Sequence, residues 1–176
     1  KSPDQVKSAF LYQIAKFTKF NDQVNPPPIS FCFYDLDKGP GAFLKDRNEL
    51  QINKKPINVI LVKKTQQISE LSQVCDITYI DETLENDILP LWTDTISLDT
   101  LTIGESISFL ENGGIASLVQ EGNKIRLYIN KQHVLQHNFK VQSRLLAMAK
   151  FYPNAQTDFS GPRFGAFSGL GGGYDP

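Results

Sequence analysis

The chain has 176 residues, 40% of them hydrophobic, enough to bury one substantial core and hardly two. Eighteen basic residues against nineteen acidic ones leave a formal charge of −1, which offers no electrostatic footprint for nucleic acid or an anionic membrane surface. No apolar run approaches the roughly 20 residues of a membrane helix and no charged-then-apolar leader opens the chain, so the expectation is a soluble or already processed protein with no direct membrane insertion.

In chain order, "SPDQVKSAFLYQIAKF" predicts a helix: Ser2 caps it, Pro3 takes the first turn, and Gln5 completes a capping box. Its expected apolar face is Val6, Phe10, Ile14 and Phe17, of which Phe10, Ile14 and Phe17 are read as core. The prolines at 26–28 end any helix and deliver the chain into a strand over 29–34. "GAFLKDRNEL" predicts a short helix, and "INVILVKK" a strand with little alternation, expected to be buried on both faces of a parallel sheet. A helical "QQISELSQV", the strand "DITYI" and a helical "TLENDILPLW" cut short at Pro90 follow.

"TISLD" is then expected as a fourth strand, and "IGESISFLENGG" as a helix stopped at Gly113 or Gly114. Beyond it, "IASLVQ" and "KIRLYIN" flank "EGN", the pattern of an antiparallel hairpin. Asn130 caps a short helix through His137, Asn138 stops it in the left-handed conformation, and "KVQSRLLAMAKFY" is expected to form the last helix, with Leu145, Leu146 and Met148 in the core. The strand-helix rhythm gives an α/β single domain over residues 1–152, a mixed and mainly parallel sheet flanked by helices with a C-terminal hairpin, followed by a tail over 153–176.

Candidate chemistry starts at "YDLDKGPG". Asp35 and Asp37 stand two apart after a strand, as in haloacid-dehalogenase-type phosphatases, where one carboxylate attacks phosphorus beside magnesium and the other shuttles the proton. Here a helix precedes the strand and Lys38, Gly39 and Pro40 follow it, so the pattern fails after three residues. Thr65 as a phosphate-binding hydroxyl and Asp76, Asp81, Glu82 or Asp87 as later metal ligands would complete that reading; solvated loop carboxylates are the simpler one. His133 and His137 share a helix face at a metal-ligand spacing, but no Glu adjoins His133, and a polar surface face is preferred. Gly39, Gly41 and the glycines at 171–173 lead into no Lys-Ser or Lys-Thr pair, and Lys54, Lys55, Lys63 and Lys64 form a patch without interleaved aromatics. No catalytic residue, metal or cofactor is expected. Cys32, inside the first strand, and Cys75, before "DITYI", sit in neighbouring elements, and a disulfide and two buried thiols are both open readings.

The opening "VKSAFLYQIAKFTKF" resembles the first helix of the YfiR-like family, whose members commonly begin "VKAAFLYNFAKFVEW". "GGIASLVQEGNKIRLYIN" is similar to that family's double glycine and hairpin, with Arg126 and Asn130 in place, and "NFKVQSRLLAMAK" resembles its "GLKISSRLLRLA". Asn138 stands for the usual glycine and Gln142 for the first of two serines; a second cysteine pair found in some members is missing. The resemblance implies a non-enzymatic regulator of the bacterial periplasm that represses a membrane-anchored diguanylate cyclase, a GGDEF-domain protein, through its periplasmic part. Cyclic di-GMP and biofilm formation would then stay low. In that oxidising compartment, with Cys32 and Cys75 near the family's strand cysteines, the two are expected to be bonded. The rivals are the phosphatase and a periplasmic small-molecule-binding module.

The tail from Pro153 holds six glycines and three prolines together with Phe159, Phe164, Phe167 and Tyr174, too many aromatics for a purely solvating linker. Those aromatics are expected to dock the tail on its own domain or on a second copy, as a homodimer would provide.

Overall fold

A computed structural model describes residues 1–20, 27–47, 49–92, 99–137 and 140–153. Helix α1 (Pro3–Lys16) starts at the expected capping box: Ser2 Oγ accepts the Gln5 amide at 3.2 Å and Gln5 Oε1 accepts the Ser2 amide at 3.1 Å. The face it buries is turned from the expected one. Leu11, Ile14 and Ala15 are buried, while Val6, Phe10 and Phe17 are half-buried. At about 100° per residue Leu11, Ile14 and Ala15 share one arc, and Phe10 and Phe17 lie on its flank, where they pack against the margin of the same core.

After β1 (Thr18–Lys19) come β2 (Ile29–Phe33), α2 (Pro40–Leu44), β3 (Gln51–Ile52), β4 (Lys55–Leu61), α3 (Ile68–Val74), β5 (Ile77–Tyr79) and α4 (Glu82–Ile88), which tightens into a single 3-10 turn, Leu89–Leu91, at Pro90. Then follow β6 (Leu101–Gly104), α5 (Ile107–Glu111), β7 (Ala116–Glu121), β8 (Lys124–Asn130), α6 (Lys131–Leu135), β9 (Lys140–Val141), α7 (Ser143–Met148) and β10 (Lys150–Tyr152). The main sheet has eight strands in the order β10-β8-β7-β6-β5-β2-β4-β3. β4, β2, β5, β6 and β7 run parallel in sequence, β7 and β8 form the expected antiparallel hairpin, and β10 runs parallel to β8. The fold is the expected mixed, mainly parallel α/β domain. β1 and β9 make a separate antiparallel clip, reinforced by the Gln142 amide on the Phe17 carbonyl at 2.8 Å.

β2 is an interior strand, third from the β3 edge, and is buried throughout, and the pleat sends its side chains to two cores. Phe31 and Phe33 join Leu11, Ile14 and Leu145 on the α1 and α7 side; Cys32 joins Ile68, Leu71, Ile88, Trp92 and Phe109 on the α3, α4 and α5 side. The Cys32 and Cys75 sulfurs are joined at 1.95 Å with Cα atoms 5.8 Å apart, fastening the end of α3 to β2.

Several expectations are corrected. β4 is not buried on both faces: its side chains are half-buried or exposed along its whole length. The expected strand "TISLD" falls on 95–99, of which 95–98 lie outside the described residues; the strand next to β5 is Leu101–Gly104, so the helix starts at Ile107. The expected long last helix is broken into β9, the short α7 and β10, since Phe151 and Tyr152 extend the sheet at β8. Leu145 is buried and Leu146 half-buried, but Met148 is 44% exposed and not core. Helix α6 stops at Leu135; Asn138 and the tail aromatics Phe159, Phe164, Phe167 and Tyr174 lie outside the described residues.

Candidate functional site

Three acidic residues stand within two residues of parallel strand ends: Asp35 after β2, Asp81 after β5 and Glu105 after β6. Those strands are neighbours, so the topology gathers the acids at the C-terminal edge of the sheet, the side where open α/β sheets carry their ligands. Glu105 is the hub. Lys7 of α1 reaches its Oε2 at 2.7 Å, the Tyr79 hydroxyl donates to the same oxygen, and the Glu82 amide donates to Oε1 at 2.8 Å. The Lys7 and Glu105 side chains are only 12% and 13% exposed, so these charge-assisted bonds are shielded from water.

The same geometry explains the protonation pattern. Burial, then the neighbouring Glu105 charge, holds the Tyr79 phenol well above its usual range. Asp81 is pushed up to about 6, first by desolvation and then by Glu105 and Asp35, with Lys7 pulling the other way. Its side chain makes no capping bond to the α4 turn it precedes. Behind it, Ser106 Oγ caps α5 by accepting the Phe109 amide at 3.0 Å and donates to the buried Glu85 carboxylate at 2.6 Å, which ties α4 to α5. A polar cleft of about 240 Å³ opens beside Lys7, Glu82, Glu105, Ser106 and Gln120.

A second network explains the double glycine and the hairpin. The Gly114 amide returns to the Phe109 carbonyl at 2.9 Å while Gly113 adopts φ +106°, the 6→1 closure of a glycine-stopped helix. A Cβ on Gly114 would stand 2.2 Å from the Phe109 ring, and one on Gly104 would stand 2.4 Å from it, so the two glycines clasp that ring. Asn130 Nδ2 donates to the Leu110 carbonyl at 3.1 Å, and its Oδ1 accepts the His133 amide at 3.2 Å. His133 Nδ1 lies 2.8 Å from the Gly114 carbonyl, which sets it as the protonated nitrogen. Arg126 pairs with Glu121 at 3.1 Å across the hairpin.

Of the phosphatase set, Asp35 and Asp81 meet at this edge, whereas Asp76 does not join them. Asp35 Oδ1 accepts the Asp37 amide at 2.7 Å and the Lys38 amide at 3.4 Å, closing a turn, and Asp37 is exposed. Asp76 sits at the opposite end of β5, buried, accepting the Ser30 amide at 2.8 Å. The four lysines do not form one patch: Lys54 and Lys55 precede β4 or open it, whereas Lys63 and Lys64 follow it, roughly 25 Å away along the strand. Among the described residues no group of three or more His, Cys, Asp or Glu side chains is placed to hold a metal. The Lys7, Tyr79 and Glu105 clasp was not anticipated from the sequence; the one signal is that an acid follows β2, β5 and β6 within two residues.

Residues 4–150 match the family described as YfiR/HmsC-like. No curated protein matches the chain. Among solved structures, a conserved domain protein from Vibrio cholerae O1 biovar El Tor is similar, with a TM-score of 0.54 and 15% identity over 85% of this chain and 60% of that one. At that identity the likeness carries the fold alone, and this chain spans only 60% of that protein's length.

Proposed function

The chain belongs to the YfiR/HmsC-like family, and from that premise we propose that it is a non-enzymatic periplasmic regulator that binds the periplasmic part of a membrane-anchored diguanylate cyclase and holds it inactive. The observation that carries this reading is the family match over residues 4–150. Supporting it, the motif residues serve packing and turn closure: Gly114 makes room for Phe109, and Asn130 fixes the start of α6. A repressor of this kind needs no reacting group. It needs only a higher affinity for the inactive cyclase, and about 1.4 kcal/mol of difference shifts the equilibrium tenfold. The Cys32–Cys75 bond suits an oxidising compartment. The tail over 153–176 is a separate segment in this reading, docked through Phe159, Phe164, Phe167 and Tyr174 on the domain or on a second copy.

Deleting the gene in its native host is expected to raise cyclic di-GMP and biofilm mass, with a periplasmically exported copy restoring both. Unchanged nucleotide levels in the deletion strain would remove the proposal.

A further inference from the structure

β4 carries the sequence of an interior strand in the position of an edge. β3 pairs with it only through Gln51 opposite Pro56 and Ile52 opposite Lys55. From Ile57 to Leu61 one side of β4 is bonded to β2 in unbroken parallel register, and among the described residues no strand pairs with the other side. The stretch reads Ile, Asn, Val, Ile, Leu. Ile57, Val59 and Ile60 are half-buried, Asn58 is exposed and Leu61 is 58% exposed, whereas β2 beside them is buried along its whole length. Edge strands are ordinarily blunted by a charge, a proline or a bulge within the pairing stretch. Residues 57–61 contain neither a charge nor a proline, and their register shows no bulge.

The ends of the stretch indicate what fits. Lys54 and Lys55 stand before it and Lys63 and Lys64 after it, Lys64 lying 3.9 Å from Asp87. A second copy joined through the same edge by a two-fold axis would run antiparallel, and in the register centred on Val59 it would set Lys55 against Lys63 at both ends. Like charges oppose that pairing. The same bracket favours a strand that ends in carboxylates.

We propose that residues 57–61 of β4 accept an extended segment of a partner protein as an added strand, apolar at alternate positions and bearing Asp or Glu at both ends. Main-chain bonds along the open edge supply the binding, and the four lysines select the ends. The inference stands independently of the cyclase reading, since it rests on the edge and its charges alone.

The probe is a synthetic peptide of alternating valine and threonine with two glutamates at each end, added to the ¹⁵N-labelled full chain while backbone amide shifts are recorded. Saturable shifts centred on residues 57–64 are expected, and a lysine-ended peptide is expected not to produce them. The double variant Lys63→Glu, Lys64→Glu alters only exposed side chains; it should weaken the glutamate-ended peptide at least tenfold, and so should Leu61→Lys with its melting temperature retained. Shifts absent at millimolar peptide, shifts lying elsewhere, or equal binding of the lysine-ended peptide would overturn the inference. A concentration-dependent dimer abolished by Leu61→Lys would assign the edge to a second copy and overturn it too.

Discussion

Glu105 gathers donors from Lys7, Tyr79 and the Glu82 amide, and beside it Asp81 is held up first by desolvation and then by the charges of Glu105 and Asp35. Its carboxyl rises from the ordinary 3.8 to about 6, so the folded state holds a proton that the unfolded chain has released. Asp81 therefore costs nothing below about pH 4, where both states are protonated; stability falls between about pH 4 and 6, and the cost is complete above that. Because the side chain is only half-buried, the cost of this rise is discounted for screening to about 1 kcal/mol. Asp81→Asn is expected to be more stable than the parent by that amount at pH 7.5 and equal to it at pH 3.5, read from urea midpoints; equal midpoints at both pH values would refute the assignment. Gly114→Ala tests the other residue-level claim. Overlap with the Phe109 ring should cost about 1–3 kcal/mol, and Phe109→Leu in the same chain should recover part of it. The helix stop at the double glycine was readable in the sequence, but the clasp was not, because Phe109 meets Gly104 and Gly114 only once α5 is folded onto β6.

Among the elements, α1 was legible to its first hydrogen bonds because a capping box is local: Ser2, Gln5 and the helix between them need no neighbour. Its buried face was not, since the sheet decides which stripe it covers. Leu11→Ala should accordingly cost about 2–5 kcal/mol, and Phe10→Ala, at a half-buried position, less than the roughly 3–5 kcal/mol of a fully buried phenylalanine. Equal losses in thermal or urea unfolding would return Phe10 to the core. The last helix shows the converse. "KVQSRLLAMAKFY" has a helical pattern throughout, yet Lys150, Phe151 and Tyr152 pair with Tyr128, Ile129 and Asn130, and Tyr152 donates to Glu111 at 2.5 Å. Pairing with a distant strand outweighed local propensity. Between elements, the Cys32–Cys75 bond closes a loop of 43 residues in sequence, so replacing both cysteines with alanine should lower unfolding free energy by up to about 4 kcal/mol. Loss of under about 0.5 kcal/mol, or free thiols in alkylated non-reduced protein, would contradict a role for the bond in stability.

For the whole molecule, two cores pack on either side of β2, and Gly114 and Asn130 of the family motifs are occupied in holding the fold together. The α/β rhythm was readable because strand and helix periods alternate along the chain; the gathering of Asp35, Asp81 and Glu105 was not, because strand order brings them together and no spacing announces it. If the tail docks as proposed, removing residues 153–176 lowers the melting temperature or changes the oligomeric state, and a truncated chain unaltered in both would dismiss docking. The regulatory reading itself is tested most directly by titrating the purified chain onto vesicle-embedded full-length membrane-anchored diguanylate cyclases of its native host, with the chain on the periplasmic side, while cyclic di-GMP synthesis is measured. The account predicts saturable inhibition that reverses when the chain is washed away; synthesis that continues unchanged at a saturating excess of folded, disulfide-bonded protein would contradict it.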